Sequence, residues 1–249
     1  NHVAPRLGRR HLDEIAKTDI VALHHGRRAS GAAKGSANRL LVMLRYVFNL
    51  ALRWGTPGLS ANPTAGVALF EDPPTKERFL TPEEALRLHA AVAESPNPML
   101  RFIVPMLILT GARRREVLNA RWEDFDLDRR QWRIAVTKTG KPRHVPLSGG
   151  ALQVLATVPR PAVDCPWVFP NPKTGKPFTA IFSSWDSARN RAGLADVRLH
   201  DLRHSFASFL VNAGRSLYEV QKLLGHTQVG TTQRYAHLAQ ATLLDACNS

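Results

Sequence analysis

Three short runs in the second half of the chain gather side chains that bind anions, move protons or attack electrophiles. They are Thr110-Gly111-Ala112-Arg113-Arg114-Arg115-Glu116, His200-Asp201-Leu202-Arg203-His204, and Leu224-Gly225-His226 with Tyr235 nine residues further on. Guanidinium groups offer paired N–H donors to a planar, spread anion such as a phosphate, and suit it better than an ammonium does. Imidazoles carry protons near neutral pH, and a phenol hydroxyl becomes a nucleophile once its proton has somewhere to go. Taken singly, each run has an ordinary reading: Arg113 to Arg115 as a solvated helix start, His200 and His204 as surface or satisfied core groups, Tyr235 as packing. Two competing chemistries fail on spacing. His200 and His204 share a helix face at i and i+4, but no Glu follows the first His and no third ligand lies close, which argues against zinc. Lys-Thr-Gly-Lys occurs twice, at 138–141 and 173–176, yet Gly175-Lys176 is followed by Pro177 rather than Ser or Thr. A phosphate-cradling loop of the ATPase kind is therefore not expected.

Charge narrows the partner. The 249 residues hold 34 Lys and Arg against 20 Asp and Glu, a formal net charge of +14. The surplus is spread along the chain, with ten basic against five acidic residues in 1–75 and 24 against 15 beyond. Such an excess is the footprint of a protein that neutralises phosphates, so nucleic acid leads; an ordinary Arg-rich wet surface is the bland alternative. At 44% hydrophobic residues the chain can bury a core. No run reaches the ~18 apolar residues of a spanning helix; the nearest, Phe102 to Leu109, contains Pro105. Cys165 and Cys247 are far apart and lack metal-ligand neighbours, which fits a reducing cytoplasm. The chain opens Asn1-His2-Val3 without an initiator Met, so a module ahead of it is expected to have been lost.

The elements that must carry these side chains can be sketched from periodicity. Leu40, Met43, Leu44, Val47, Leu50 and Trp54 recur at three and four, predicting a helix over 36–54 with these residues buried and Gly55 as its stop. Its Arg39, Arg45 and Arg53 either contact phosphates along a groove or form a wet face. The polar stretch 71–78 with Pro73-Pro74 reads as a linker. Thr81-Pro82-Glu83-Glu84 reads as a capped helix start. Trp132 to Val136 and His144 to Leu147 flank a turn and predict a hairpin, to which a strand near Phe125 to Leu127 adds. Helices resume from Ser183, with Leu202, Phe206, Phe209 and Leu210 on one face and Val220, Leu223 and Leu224 on another that Gly225 ends.

In their order and spacing the three runs resemble the tyrosine recombinase (phage integrase) family. Its second domain carries Thr-Gly-x-Arg-x-x-Glu, a Lys in a strand-turn-strand, His-x-Leu-Arg-His, Leu-Gly-His, and a Tyr about nine residues later; each has a match here. Pro5-Arg6-Leu7-Gly8, Trp54-Gly55 and Asn62-Pro63 look like the core-binding domain, and Phe79 to Ala239 like the catalytic domain. Two positions depart, Ala112 where Leu or Met is usual and Arg115 where a small residue is usual. The resemblance implies a mainly α fold with a small antiparallel β-sheet in two domains. These are a helical, SAM-like core-binding domain at 1–72, a linker at 73–78, and a catalytic domain with a C-terminal tail at 79–249.

The same resemblance implies a site-specific recombinase that cuts and rejoins DNA through a 3′-phosphotyrosyl intermediate, needing neither metal, ATP nor another cofactor. Arg113 and Arg203 would clamp the phosphate and Tyr235 would attack it. Lys138 on the hairpin turn, preferred to Lys173 in a Pro-rich loop and to Lys141, would protonate the leaving 5′ oxygen. His200 would handle the tyrosine proton, His226 would hydrogen-bond the phosphate, Glu116 would orient Arg113, and His204 would support the set. Implied partners are double-stranded DNA with specific sites, further copies in a homotetramer on DNA from a free monomer, and accessory bending or directionality proteins. The implied location is the bacterial cytoplasm, on the nucleoid when DNA-bound. Leu238, Leu243 and Leu244 would dock on a neighbouring protomer or cover their own core. Integration or excision of a mobile element is the favoured role. Alternatives are resolution of chromosome dimers, the related type IB topoisomerase chemistry, and a catalytically silent DNA-binding protein of the same fold.

Overall fold

Three helices build the N-terminal part: α1 (Ala4–Leu7), α2 (Lys17–Ala29) and α3 (Lys34–Arg53). Pro5 sits in the first turn of α1, where its missing N–H costs nothing. The Asp19 carboxylate accepts from Ala16 N at 2.9 Å and caps α2. These helices enclose a core of Ile20, Leu23, Leu41, Leu44 and Phe48. The computed structural model describes residues 2–71, 78–135, 142–160, 165–226, 228 and 230–239. Its contacts divide into two compact units, Asn1–Lys76 and Glu77–Ser249. No helix among the described residues is long and apolar enough to cross a membrane.

Helix α3 forms where the periodicity predicts it but buries a different arc. Ala37, Leu40, Leu41, Leu44, Phe48 and Ala51 face the core. Met43, Val47 and Trp54 are 49%, 43% and 76% exposed. The helix carries two overlapping apolar stripes that share Leu40 and Leu44, and a 3.6-residue period cannot say which one packs on α2. Asn38 fastens the far end of this unit, donating to Phe70 O at 2.8 Å and accepting from Phe70 N at 2.9 Å.

The first described residue of the second unit is Arg78, the last residue of the expected linker. Its guanidinium forks onto Glu84 at 2.8 Å and its Nε reaches Asp196 at 2.7 Å. Arg78's hydrogen bonds hold the Glu84 carboxyl down at about 2. Helix α4 (Pro82–Ala93) opens on the predicted cap, with Thr81 Oγ1 accepting from Glu84 N. Then follow α5 (Leu100–Thr110), α6 (Arg114–Leu118), β1 (Phe125–Asp126), β2 (Gln131–Ile134) and β3 (Arg143–Pro146). The strands form an antiparallel sheet in the order β1-β2-β3, with Phe125 opposite Trp132 and Trp132 opposite Val145. Phe125 stacks on Trp132 at 5.1 Å between ring centroids, a cross-strand pair that fixes the register. Helices α7 (Gly149–Thr157), α8 (Phe182–Arg191), α9 (Asp201–Asn212), α10 (Leu217–Leu224) and α11 (Gly230–Gln233) follow.

Helix α5 lies at the centre, packed by α4, α7 and α9. It is apolar nearly all round, with Leu100, Ile103, Val104, Met106 and Leu107 buried, as a helix with neighbours on every side must be. The fold is thus mainly helical with one small antiparallel sheet, as expected. One detail of packing differs: α9 buries residues on most of its circumference, Phe206, Phe209 and Leu210 being only partly covered. Leu238 packs against the cluster of Ala207, Val211 and Val220 in its own chain. Leu243 and Leu244 lie outside the described residues.

Candidate active site

Gly111 turns the chain out of α5 with φ 59°, a left-handed cap that an L side chain resists. A Cβ there would also stand 2.3 Å from Phe206 Cδ1 and 2.9 Å from Leu224 Cδ2. This tight turn lets the end of α5 lie against α9 and α10 and delivers Arg113 to the start of α6. Glu116, one turn on, accepts from Arg113 N at 2.7 Å and from Arg113 Nη1 at 2.8 Å. Ala112 is buried in the core and Arg115 donates to Phe178 O at 2.9 Å. The two unusual residues of this motif therefore have local work, one filling a small space and the other fastening a loop.

Helix α9 contributes the second run. Arg203 is almost fully buried and donates to two main-chain carbonyls, Gly111 O at 2.5 Å and Leu224 O at 2.7 Å. They belong to the residue that caps α5 and to the last residue of α10, so the guanidinium joins two helix ends. Burial, then the charges of Arg113 and Arg143, lower the Arg203 pKa to about 10, still well above neutrality. The adjacent His204 points its Nδ1 at the Tyr235 hydroxyl, 2.5 Å away. Tyr235 is only 2% exposed and packs with Ala207, Val211 and Leu224. His200 precedes α9 at the surface, its ring edge-on to His204 at 4.9 Å. The imidazole on the tyrosine hydroxyl is thus His204, a residue the sequence reading gave only a supporting part.

The third run hangs from the C-terminus of α10. Gly225 ends that helix at φ 66°, and His226 then bonds through Nδ1 to Thr232 Oγ1 at 2.8 Å. Desolvation and then the charges of Arg203 and Arg113 lower the His226 pKa to about 4. Desolvation and then His200 lower His204 to about 4 as well. Both imidazoles are neutral at pH 7, Arg203 stays charged, and Glu116 pairs with Arg113 and Arg143 beside them. Such a cluster attracts an anion and its neutral imidazoles accept protons.

Arg143 and Thr232 were missed by the sequence reading. Arg143 Nη2 meets Glu116 Oε2 at 2.7 Å and Nη1 meets Leu223 O at 2.9 Å. One signal existed: Arg143 has the same strand parity as buried Val145, so it faces inward on β3. Lys138 and Lys141 lie outside the described residues. Lys173 is exposed in a separate turn closed by Asn171 N to Lys176 O at 2.8 Å. In the first unit Arg39 and Arg53 are exposed, whereas Arg45 donates to Val67 O at 3.2 Å and is partly used by its own fold.

The second unit thus gathers two guanidiniums, two imidazoles and a buried tyrosine around the ends of α5, α9 and α10. The profile of the phage integrase family matches residues 78–242, and the chain is a member of that family, the tyrosine recombinases. It is 31% identical over 238 residues to the shufflon-specific DNA recombinase of Escherichia coli, covering 92% of this chain and 59% of that protein. It is 30% identical to the tyrosine recombinase XerD of Bifidobacterium longum (strain NCC 2705), covering 94% of this chain and 81% of the relative. The Tn1549 transposon integrase in complex with a circular intermediate DNA has the same fold, with a TM-score of 0.76 at 18% identity, covering 97% and 88% of the two chains. The chain thus spans about three fifths of the shufflon recombinase.

Proposed function

We propose that this protein is a site-specific recombinase that breaks and rejoins double-stranded DNA through Tyr235. The reading is supported first by the Tyr235 hydroxyl at His204 Nδ1, beside Arg203 on the same helix. Tyr235 Oη attacks the phosphorus in line, forming a 3′-phosphotyrosine as the bond to the 5′ oxygen breaks. The phenol proton passes to neutral His204, against whose ring His200 lies edge-on. The leaving oxygen takes a proton from Lys138, a role resting on the sequence alone. Arg113 and Arg203 meet the charge that grows on the nonbridging oxygens, and His226 hydrogen-bonds the phosphate. A free 5′ hydroxyl then reverses the step on the phosphotyrosine, so bond energy is conserved and no ATP is consumed. Residues 1–72 form the core-binding domain, with Arg39 and Arg53 toward DNA. The working assembly is a homotetramer on two sites with accessory proteins, acting on the bacterial nucleoid in integration or excision of a mobile element.

The test uses a nicked duplex library of randomised sequence in EDTA without ATP, denatured before recovery. DNA joined through its 3′ phosphate to the wild-type protein, and absent with Tyr235→Phe, is the expected result. Protein that shifts the library in a gel yet traps nothing would leave a DNA-binding protein of the same fold.

A further inference from the structure

Arg143 stands outside all three runs, yet it touches the supports of two of them. It leaves the inward face of β3, and its side chain is 12% exposed. One arm of the fork binds Glu116, whose other oxygen binds Arg113. The other arm binds the Leu223 carbonyl, three residues before His226. Its stem runs so close under the next turn that a Cβ on Gly225 would lie 2.8 Å from Arg143 Cδ. We propose that Arg143 is a positioning residue that holds Arg113 and His226 in mutual register through Glu116 and the Leu223 carbonyl. This rests on the recombinase reading above.

The geometry is specific to a guanidinium. Two coplanar nitrogens reach a carboxylate on α6 and a carbonyl at the end of α10, whereas the single ammonium of a lysine satisfies one and abandons the other. With Arg143 gone, Glu116 keeps Arg113 as its guanidinium partner and the pair can swing together. The end of α10 would keep Arg203 at Leu224 but lose the hold on Leu223, and Gly225 would lose the stem that fixes its approach. The groups that Arg143 holds are backbone and carboxylate, so it is expected to affect the chemical step far more than DNA affinity. Displacement of reacting groups by about 1 Å costs on the order of 100-fold in rate.

The experiment measures first-turnover formation of the covalent adduct on the same nicked library, with gel-shift affinity and the urea midpoint recorded for each variant. Arg143→Lys is the principal variant, since it keeps the charge and the bulk; Arg143→Met is the second. The expected result is a fall of about 100-fold in adduct rate for both, with affinity changed less than about threefold. In a cycle with Arg113→Lys, the double variant is expected to lose clearly less than the product of the two single losses, because part of the Arg143 effect runs through Arg113. A purely structural role predicts multiplied losses, and that outcome would overturn the proposal. So would a wild-type rate in a folded Arg143→Lys. A wild-type protein that forms no Tyr235-dependent adduct would sink the recombinase reading and this inference together, whereas a wild-type adduct with unaffected variants would sink this inference alone.

Discussion

Replacing Gly111 by Ala tests how closely the end of α5 is pressed into the site. Two costs are separable. An L residue at φ 59° is strained by roughly 1–2 kcal/mol. The added Cβ would also fall 2.3 Å from Phe206 Cδ1 and 2.9 Å from Leu224 Cδ2, contacts that real Cβ atoms do not make. Phe206 is only partly buried and can turn, but Leu224 is fully buried and its own carbonyl binds Arg203. Relief of the overlap therefore costs a further 1–3 kcal/mol or so, the usual range for overpacking. The total, about 2–5 kcal/mol, is a large part of the stability of a typical domain. Gly214 supplies the control: its φ is 78° and a Cβ there meets nothing within 4 Å, so Gly214→Ala carries the backbone cost alone. Urea unfolding at pH 7, followed by tryptophan fluorescence, should place Gly111→Ala at least 1 kcal/mol or so below Gly214→Ala. Shortening the obstacle with Phe206→Leu should recover part of that gap. Equal losses for the two glycine variants would refute the close packing of this turn on α9 and α10, and with it the anchoring of Arg203 at Gly111.

Two further outcomes follow from buried groups. His204 and His226 titrate near 6.5 in the unfolded chain and near 4 in the folded one, so between those values the unfolded chain binds more protons. Stability is therefore level above about pH 6.5 and falls as pH drops toward 4, by up to about 1.4 kcal/mol per pH unit for each histidine. Urea midpoints across that window should fall less steeply in His204→Asn than in the wild type, and identical slopes would show that His204 is not held neutral by burial. Ser205→Ala is the second: the hydroxyl accepts from Leu80 N at 2.8 Å and donates to Asp201 O at 2.8 Å, wholly shielded from water. Its loss strands the Leu80 amide and should cost about 1–3 kcal/mol, with faster hydrogen exchange at that amide; protection equal to the wild type would contradict the buried bond.

What the sequence made legible follows from which interactions are local. Thr81 with Glu84, and Gly225 at the end of α10, are read within four residues and formed as expected. The hairpin was equally visible because Trp132 and Val145 announce their strands by alternation before they pair. Helix α3 shows where this stops: its period was plain, but the choice between two apolar stripes is made by α2, which periodicity does not contain. The site divides along the same line. The runs around Arg113, Arg203 and His226 were conspicuous because clustered guanidiniums and imidazoles are unusual residue types suited to anions and protons. The partner that holds two of them was not, since Arg143 acts on residues 27 and 80 positions away. His204 is the intermediate case, because its neighbour Arg203 drew attention to the run while only the packing of Tyr235 31 residues on decides which imidazole meets the hydroxyl. Residue type thus reveals the groups suited to chemistry, and the main-chain carbonyls of Gly111, Leu223 and Leu224 reveal how they are held. Those carbonyls belong to helix ends that would otherwise be unsatisfied, and the guanidiniums of Arg143 and Arg203 close them. Helix capping and anion attraction are then one arrangement, and loosening either should loosen the other.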